Sequence, residues 1–397
     1  MKSRSIRYII AMLTAILSLL PTGCKEGELD PSLVKADEML REGRDLEAWL
    51  LLDNQKYAKG KVCEWDYALY CVLRLQAEER NGKLLTDGLA ADALEYYKDK
   101  DDDGYHAGLA WYFQGWESLL ANNYDDALMV LREAKRLMDG EHCLRYQYLS
   151  RNYLSAIYSK YNADEDCVRE LSEALGYAKQ LKNERYMSST LLNLAKSLRR
   201  VGKVDSSLLC LRELIVLGTM KNMKDVVVDE IGLDYMYKGD RANMERIMDS
   251  LSVMRKRHSF VVPNVENIIR ARIQIDEGDY REAIKRLDEI KKVGSYDVRI
   301  ARENLYIEAY TGLGDIDEAN NHRGSLRMIE GDGGAELEKI KAEAERKYGK
   351  IQEYRDENRS GIVREMAKNV GIGVGVLAIV IGVFFVLSRR GRGKKKK

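Results

Sequence analysis

A small turn-forming residue returns along this chain at an almost fixed interval. The eight positions are Gly43, Gly82, Asn122, Asn162, Gly202, Gly239, Gly278 and Gly314. The interval between successive positions is close to constant, and a period of this size is typical of a stack of like units rather than of a single globular core. Each unit in such a stack buries its apolar face against its neighbours, so the 397 residues need not divide into ordinary domains.

Each of these turn positions lies between two segments with helical periodicity. In the unit 109–137, the turn at Asn122 is followed by Leu128, Leu131, Ala134 and Leu137. Apolar residues at this spacing form one stripe on an α-helix. The chain contains only three prolines, which favours long helices. We therefore predict an all-α fold of about eight helix pairs over residues 30–328.

The turn motif resembles that of the tetratricopeptide repeat (TPR) family. In that motif a small residue is followed by an aromatic residue two positions on and an alanine three further on. The segments Gly278–Ala283 and Gly314–Ala319 follow it closely, and Asn122–Ala127, Asn162–Cys167 and Gly202–Ser207 keep its spacing. The resemblance implies a TPR-like α-solenoid in which the aromatic residue wedges between units and the alanine lies where two helices cross closely. Because the period here is longer than that of the family, we expect longer helices.

TPR arrays are usually binding scaffolds, in which the first helix of each pair lines a concave groove. The resemblance implies the groove-facing candidates Tyr112, Trp116, Asn152, Lys196, Arg199, Arg200 and Arg272. Some family members hold a C-terminal carboxylate with Lys, Arg and Asn side chains, a role open here to Asn152, Lys196, Arg199 and Arg200. The alternative is that the two aromatic residues pack in the core and the polar residues form a solvated surface.

The N-terminus has the pattern of a secretion signal. Three basic residues precede the apolar segment Tyr8–Leu20, which is too short to span a bilayer comfortably. The segment Leu20–Cys24 resembles a bacterial lipoprotein signal, which predicts a signal peptide over 1–23 and a lipidated Cys24. Ordinary signal cleavage and an uncleaved anchor are the alternatives.

The C-terminus has the pattern of a single membrane span. Residues 370–387 carry no charge, and a helix of that length is about 27 Å long. The basic tail 388–397 follows, which predicts that the tail is cytoplasmic and the repeats periplasmic at a bacterial inner membrane. Gly371 and Gly375 form a GxxxG pair that would let two spans pack together.

A glycine-rich break at 331–334 separates the repeats from a charged segment, 335–360. Leu337, Ala344 and Ile351 fall at heptad spacing, which gives a short heptad pattern. This segment is predicted to be a juxtamembrane stalk, either a single solvated helix or half of a weak parallel homodimer.

Charge and motif content exclude several classes of function. All 64 acidic residues lie between residues 24 and 388, against 55 of the 65 basic residues, so the body is acidic. Nucleic acid is therefore not an expected partner. The chain shows no phosphate-binding loop, no nucleophile elbow and no metal-ligand spacing among its cysteines and histidines. We predict no enzyme activity, no metal and no cofactor.

The order of parts resembles a group of membrane-anchored TPR sensor proteins of Bacteroidetes. Those proteins have a periplasmic array, a juxtamembrane helix, one span and a cytoplasmic output domain. Only a basic tip follows the predicted span here, so direct output through such a domain is not expected. The primary prediction is a scaffold for a peptide or protein partner. The alternatives are a ligand-sensing ectodomain that signals through a partner, and an envelope-assembly factor.

Overall fold

A computed structural model describes residues 29–360 of the chain, except 54–55, 101–102, 139–142, 219–223, 258–263, 291–294, 332, 352, 354–355 and 358–359. The described residues contain helices and no strand. The helices are α1 Pro31–Arg41, α2 Asp45–Leu52, α3 Glu64–Arg80, α4 Leu89–Tyr97, α5 Gly104–Leu120, α6 Tyr124–Met138, α7 Leu144–Lys160, α8 Asp164–Gln180, α9 Glu184–Arg200, α10 Val204–Leu217, α11 Lys224–Lys238, α12 Arg241–Arg257, α13 Asn264–Asp276, α14 Tyr280–Asp288, α15 Tyr296–Leu313 and α16 Ile316–Glu330. A further helix, α17, covers 333–351.

In chain order, the described helices α1 to α16 follow one another as helix–turn–helix segments, as the sequence period predicts. Helices α5, α7, α9, α11 and α13 begin at positions 104, 144, 184, 224 and 264, so the same interval separates each start from the one before. Helices α5, α7 and α9 are each 17 residues long. The predicted TPR-like helical-repeat fold is thus confirmed within the described residues, and the long period is taken up by long helices.

All eight turn positions adopt the left-handed backbone conformation. Their φ angles run from 55° at Asn162 to 79° at Gly278. In each turn the amide of the residue after the turn position donates to a carbonyl five residues earlier, as in Lys203 N to Leu198 O at 2.8 Å. This bond closes a Schellman motif, which requires a positive φ at the residue past the helix end. Glycine and asparagine recur there because they tolerate that conformation best.

The alanine position of the repeat motif is buried in all five copies identified in the sequence. Its occupants are no more than 2% exposed, and they are Ala127, Cys167, Ser207, Ala283 and Ala319. At the aromatic position, the ring of Tyr280 lies against the Cα of Gly312 on α15, leaving no room for a side chain there. The aromatic residue therefore wedges against the following unit, as the motif implies.

The chain divides into two compact units, one ending at Glu117 and the other beginning at Ser118. The first unit has an apolar core built from α1 to α3, including Leu33, Leu40, Leu52 and Leu73. The second has one cluster around Leu191, Leu211 and Leu214 and a larger one that runs from Leu233 to Ala309. Each cluster joins neighbouring helix pairs, which is the packing expected of a repeat array.

The segment predicted to be a stalk is helical, and within the second unit it lies against the repeats. The side chains of Leu337 and Ala344 are each 2% exposed. Lys341 Nζ donates to Asp166 Oδ2 at 3.1 Å, and Lys347 Nζ donates to Asp125 Oδ2 at 2.7 Å. The heptad residues that are described therefore pack against this chain's own repeats, which differs from both a projecting solvated helix and a coiled coil.

Several predictions concern residues outside the described part. The signal peptide, Cys24, the span 370–387 with Gly371 and Gly375, and the basic tail all lie there. Among the residues that are described, none of the helices combines the length and apolar character needed to cross a membrane.

Candidate functional site

An open cavity of about 280 Å³ lies among α7, α8 and α9 in the second unit. Helix α7 contributes Asn152, Ser155, Ala156 and Ser159 to its wall, helix α8 contributes Cys167 and Leu171, and helix α9 contributes Asn193, Lys196, Ser197 and Arg200. Ala156 and Asn193 are exposed, so the cavity opens to solvent. Helices α7, α8 and α9 are each 17 residues long, and each contributes residues to the wall of the cavity.

Three of the four residues proposed for holding a carboxylate line this cavity. Asn152 lies on α7, while Lys196 and Arg200 lie four residues apart on α9 and therefore on one face of the helix. Counting along the repeat therefore identified three residues that line the same cavity in the folded chain. The cavity supplies amide and hydroxyl groups together with two cations, a set that suits an extended peptide carrying a carboxylate.

Lys196 is the more accessible of the two cations. Its side chain is 30% exposed and its Nζ lies 3.3 Å from Glu230 Oε1. A single contact at that length leaves the ammonium with further donors for a ligand, because it carries three N–H groups. The carboxylate of a ligand would either share the Lys196 ammonium with Glu230 or displace Glu230 from it.

Arg200 is held more firmly by acidic residues. Its Nε donates to Asp297 Oδ1 at 2.6 Å, and one of its terminal nitrogens lies 3.3 Å from Asp164 Oδ1. Its guanidinium also lies 4.8 Å from the ring centroid of Tyr296. Burial raises the pKa of the Asp164 carboxyl, which the Arg200 charge opposes. Arg200 therefore joins the cavity to the first turn of α15.

Arg199 is not available to a ligand, contrary to the prediction from the repeat register. Its side chain is 1% exposed. It donates to Asp234 Oδ1 at 3.0 Å and to Asp297 Oδ2 at 2.7 Å, and it also pairs with Glu230. Burial alone would raise the pKa of Asp297, but the charges of Arg199 and Arg200 outweigh it and hold that pKa below its usual value. Arg199 is a structural cation that joins α9, α11 and α15.

The other predicted groove residues lie apart from this cavity. Tyr112 is fully buried in the first unit, with ring centroids 5.1 Å from Phe113 and 6.3 Å from Trp116. Tyr112 therefore packs in the core and does not line a groove, which is the alternative given for it in the sequence analysis. Arg272, on α13, pairs with Asp276 on its own helix and with Glu308 on α15. Its guanidinium ties two repeats together and is not among the cavity residues.

Sequence reasoning missed four members of the wall that contribute polar groups. Asn193 precedes Lys196 by three residues, so helical spacing alone places it on the same face. The same helical spacing relates Ser155 to Asn152, Ser159 to Ser155, and Ser197 to Arg200. Ser197 donates its hydroxyl to Cys167 Sγ at 3.2 Å, and Cys167 in turn contacts the carbonyl of Ser155 at 3.4 Å. Burial raises the pKa of the Cys167 thiol, so this cysteine packs as a neutral side chain at the back of the cavity.

Comparison with known proteins gives structural similarity only. No protein-family model and no curated protein matches the chain. A crystal structure of a Rap protein complexed with competence and sporulation factor is 15% identical, covering 82% of this chain and 98% of that one with a TM-score of 0.40. The apo form of RapI is 12% identical, with coverages of 80% and 98% and a TM-score of 0.44.

A third similar structure is aspartyl phosphate phosphatase F from Bacillus subtilis. It is 12% identical to this chain, which it matches over 76% of the length, with 95% of its own chain covered and a TM-score of 0.39. At such identities and TM-scores, nothing about the ligand, partner or activity of this chain follows from these proteins.

Proposed function

We propose that this chain is a non-enzymatic scaffold that binds a peptide or protein segment in the cavity among α7, α8 and α9. The observation that carries the proposal is the meeting of Asn152, Lys196 and Arg200 in one open polar cavity. Amide side chains can satisfy both the N–H and the C=O groups of an extended main chain. Lys196 would donate hydrogen bonds to a carboxylate of the bound segment, either a C-terminus or an acidic side chain.

Site-specific photo-crosslinking in cells tests this proposal. A photoreactive amino acid replaces Asn193, which is exposed at the cavity, and in a control chain it replaces Arg212, which is exposed on α10. We expect a defined partner to be captured from position 193 and not from position 212. Capture should fall at least tenfold when Lys196→Glu is added, because the substitution places a negative charge where the ligand carboxylate would lie.

The control for that substitution is Lys203→Glu, in the exposed turn after α9. It changes the net charge equally without touching the cavity. Equal capture by the Lys196→Glu and Lys203→Glu chains, or capture of the same proteins from both crosslinker positions, would contradict binding in this cavity.

A ligand-sensing role that acts through a partner is the second candidate, and Arg200 is the observation that favours it. The same guanidinium lines the cavity and holds Asp297 at the start of α15. A ligand that draws Arg200 toward itself would loosen the contact between α9 and α15. Amide hydrogen exchange in α15 should then rise when the crosslinked partner, or a peptide taken from it, is bound. Unchanged amide exchange in α15 would contradict the sensing role and would not affect the scaffold role.

We further propose that the array faces the periplasm and is anchored in the bacterial inner membrane. The support is the sequence of two segments outside the described residues, the signal-like 1–23 and the uncharged 370–387 with its basic flank. Both predict the same orientation.

A further inference from the structure

Helix α17 folds back from the end of the array onto earlier repeats of the second unit. Specific contacts at the junction of α16 and α17 set this direction. Asn162, in its left-handed conformation, donates its side-chain amide to Glu330 O at 2.8 Å. The next helix starts at Gly333, whose Cα lies so near the backbone of Tyr161 that an added Cβ would be 2.7 Å from the Tyr161 carbonyl oxygen.

One face of α17 lies on the repeats and the opposite face is exposed. The positions along the first face are buried or partly buried, and they are Leu337, Ile340, Lys341, Ala344, Lys347, Tyr348 and Ile351. Lys339, Arg346 and Lys350 are exposed on the other side. The contacting face is therefore an amphipathic stripe in which two lysines interrupt the apolar residues.

The two lysines contact acidic residues that occupy related positions in consecutive repeats. Lys347 pairs with Asp125 and Asp126 in the first turn of α6, and Lys341 pairs with Asp166 in the first turn of α8. Asp126 and Asp166 are separated by one repeat period, the interval between the turn positions Asn122 and Asn162. Lysines six residues apart on a helix are separated by about 9 Å along its axis.

The fit between α17 and the repeats is incomplete. A cavity of about 240 Å³ remains between Ala344, Glu345 and Tyr348 of α17 and Met129, Arg132, Glu133 and Arg136 of α6. Only Leu337 and Ala344 of the described part of α17 are fully buried. The lysine pairs are partly exposed, with 21% exposure at both Lys341 and Asp166, and such pairs are screened by salt.

We propose that the face of α6 and the first turn of α8 beneath α17 is a docking site for a lysine-bearing amphipathic helix of a partner protein, with α17 as its built-in, displaceable occupant. The acidic first turns of α6 and α8 select two lysines that are six residues apart on the bound helix. The cavity beside Ala344 accepts a larger apolar residue at that place in the partner. A partner helix that fills the cavity binds better than α17 and displaces it.

Competition with a labelled peptide of residues 333–351 tests the proposal on the full-length chain. The releasing variant is Lys341→Glu/Lys347→Glu, and its matched control is Lys339→Glu/Lys350→Glu on the exposed face. We expect the peptide to bind the releasing variant at least tenfold more tightly than the wild-type and control chains, because its own α17 no longer competes. A peptide carrying Ala344→Leu should bind more tightly still, since the added side chain fills the cavity.

Three results would overturn the proposal. The first is equal affinity of the peptide for all three chains, and the second is no binding to any of them. The third is a wild-type dimer that the peptide converts to monomers in sedimentation, which would make α17 of a second copy the occupant. As an independent readout, amide exchange over residues 335–351 should rise in the releasing variant and stay unchanged in the control.

Discussion

At the scale of single residues, local conformation could be predicted and charge pairing could not. The eight turn residues are visible in the sequence because glycine and asparagine are selected by backbone conformation, a property of each position by itself. Arg199 shows the opposite case. Its partner Asp297 lies 98 residues away along the chain, and no local pattern distinguishes a buried arginine of this kind from a ligand-binding one. Its neighbour Arg200 also pairs with Asp297 but faces the cavity.

Arg199→Ala is therefore expected to affect folding rather than ligand recognition alone. The substitution leaves Glu230, Asp234 and Asp297 buried without their central cation, which should cost on the order of 3–5 kcal/mol in the free energy of unfolding. Urea unfolding followed by circular dichroism measures the effect. All four tryptophans lie before residue 118, so their fluorescence would not report on this unit.

The control for Arg199→Ala is Arg212→Ala on the exposed side of α10, where we expect a change within about 0.5 kcal/mol. A chain in which Arg199→Ala is as stable as Arg212→Ala would show that the buried cluster is not the structural contact described here.

At the scale of elements, the sequence predicts helices and their apolar faces but not what covers each face. The heptad pattern of α17 is the clearest example. Leu337 and Ala344 mark a packing face whether the partner is a second chain or this chain's own repeats. The choice is decided by the turn before α17, where Gly333 allows the backbone to pass directly against Tyr161.

Gly333→Ala should accordingly loosen α17. The new Cβ would meet backbone atoms of Tyr161, which cannot rotate away as a side chain would, and overpacking of this kind costs about 1–3 kcal/mol. We expect faster amide exchange over residues 335–351, measured by mass spectrometry. Gly334→Ala is the matched control, because no atom lies within 4 Å of a Cβ at that position. Similar exchange in the two variants would contradict the close approach at Gly333.

At the scale of the whole molecule, charge is distributed unevenly along the chain. The basic ends flank an acidic body, and the two ends predict the same membrane orientation through unrelated signals, a positively charged start before a short apolar segment and a basic flank after a longer one. The acidic body and the cationic cavity of the second unit differ in sign. A bound acidic segment would therefore depend on Lys196 and its neighbours locally rather than on the net charge.

Reporter fusions in a bacterial host test the orientation. Alkaline phosphatase inserted after Gly331 in the otherwise full-length chain should be active, because that enzyme matures only in the periplasm, and green fluorescent protein joined after Lys397 should fluoresce, because it matures in the cytoplasm. Removal of residues 370–397 should release the phosphatase fusion from the membrane fraction when Cys24→Ser is also present. An inactive phosphatase after Gly331 would place the repeats on the cytoplasmic side.

The sequence by itself determined the period, the order of the helices and the turn conformation, and its seven groove candidates include three residues of the cavity wall. Each of these follows from a local preference repeated at a fixed interval, so Asn152, Lys196 and Arg200 could be placed on the first helix of their pairs by counting. The tertiary structure alone decided that Arg199 is buried, that Arg200 is tied to Asp297, and that α17 lies on α6 and α8. Those contacts join residues about 100 to 220 positions apart. Small rotations between successive helix pairs accumulate along a repeat array, and the sequence period does not encode their sum.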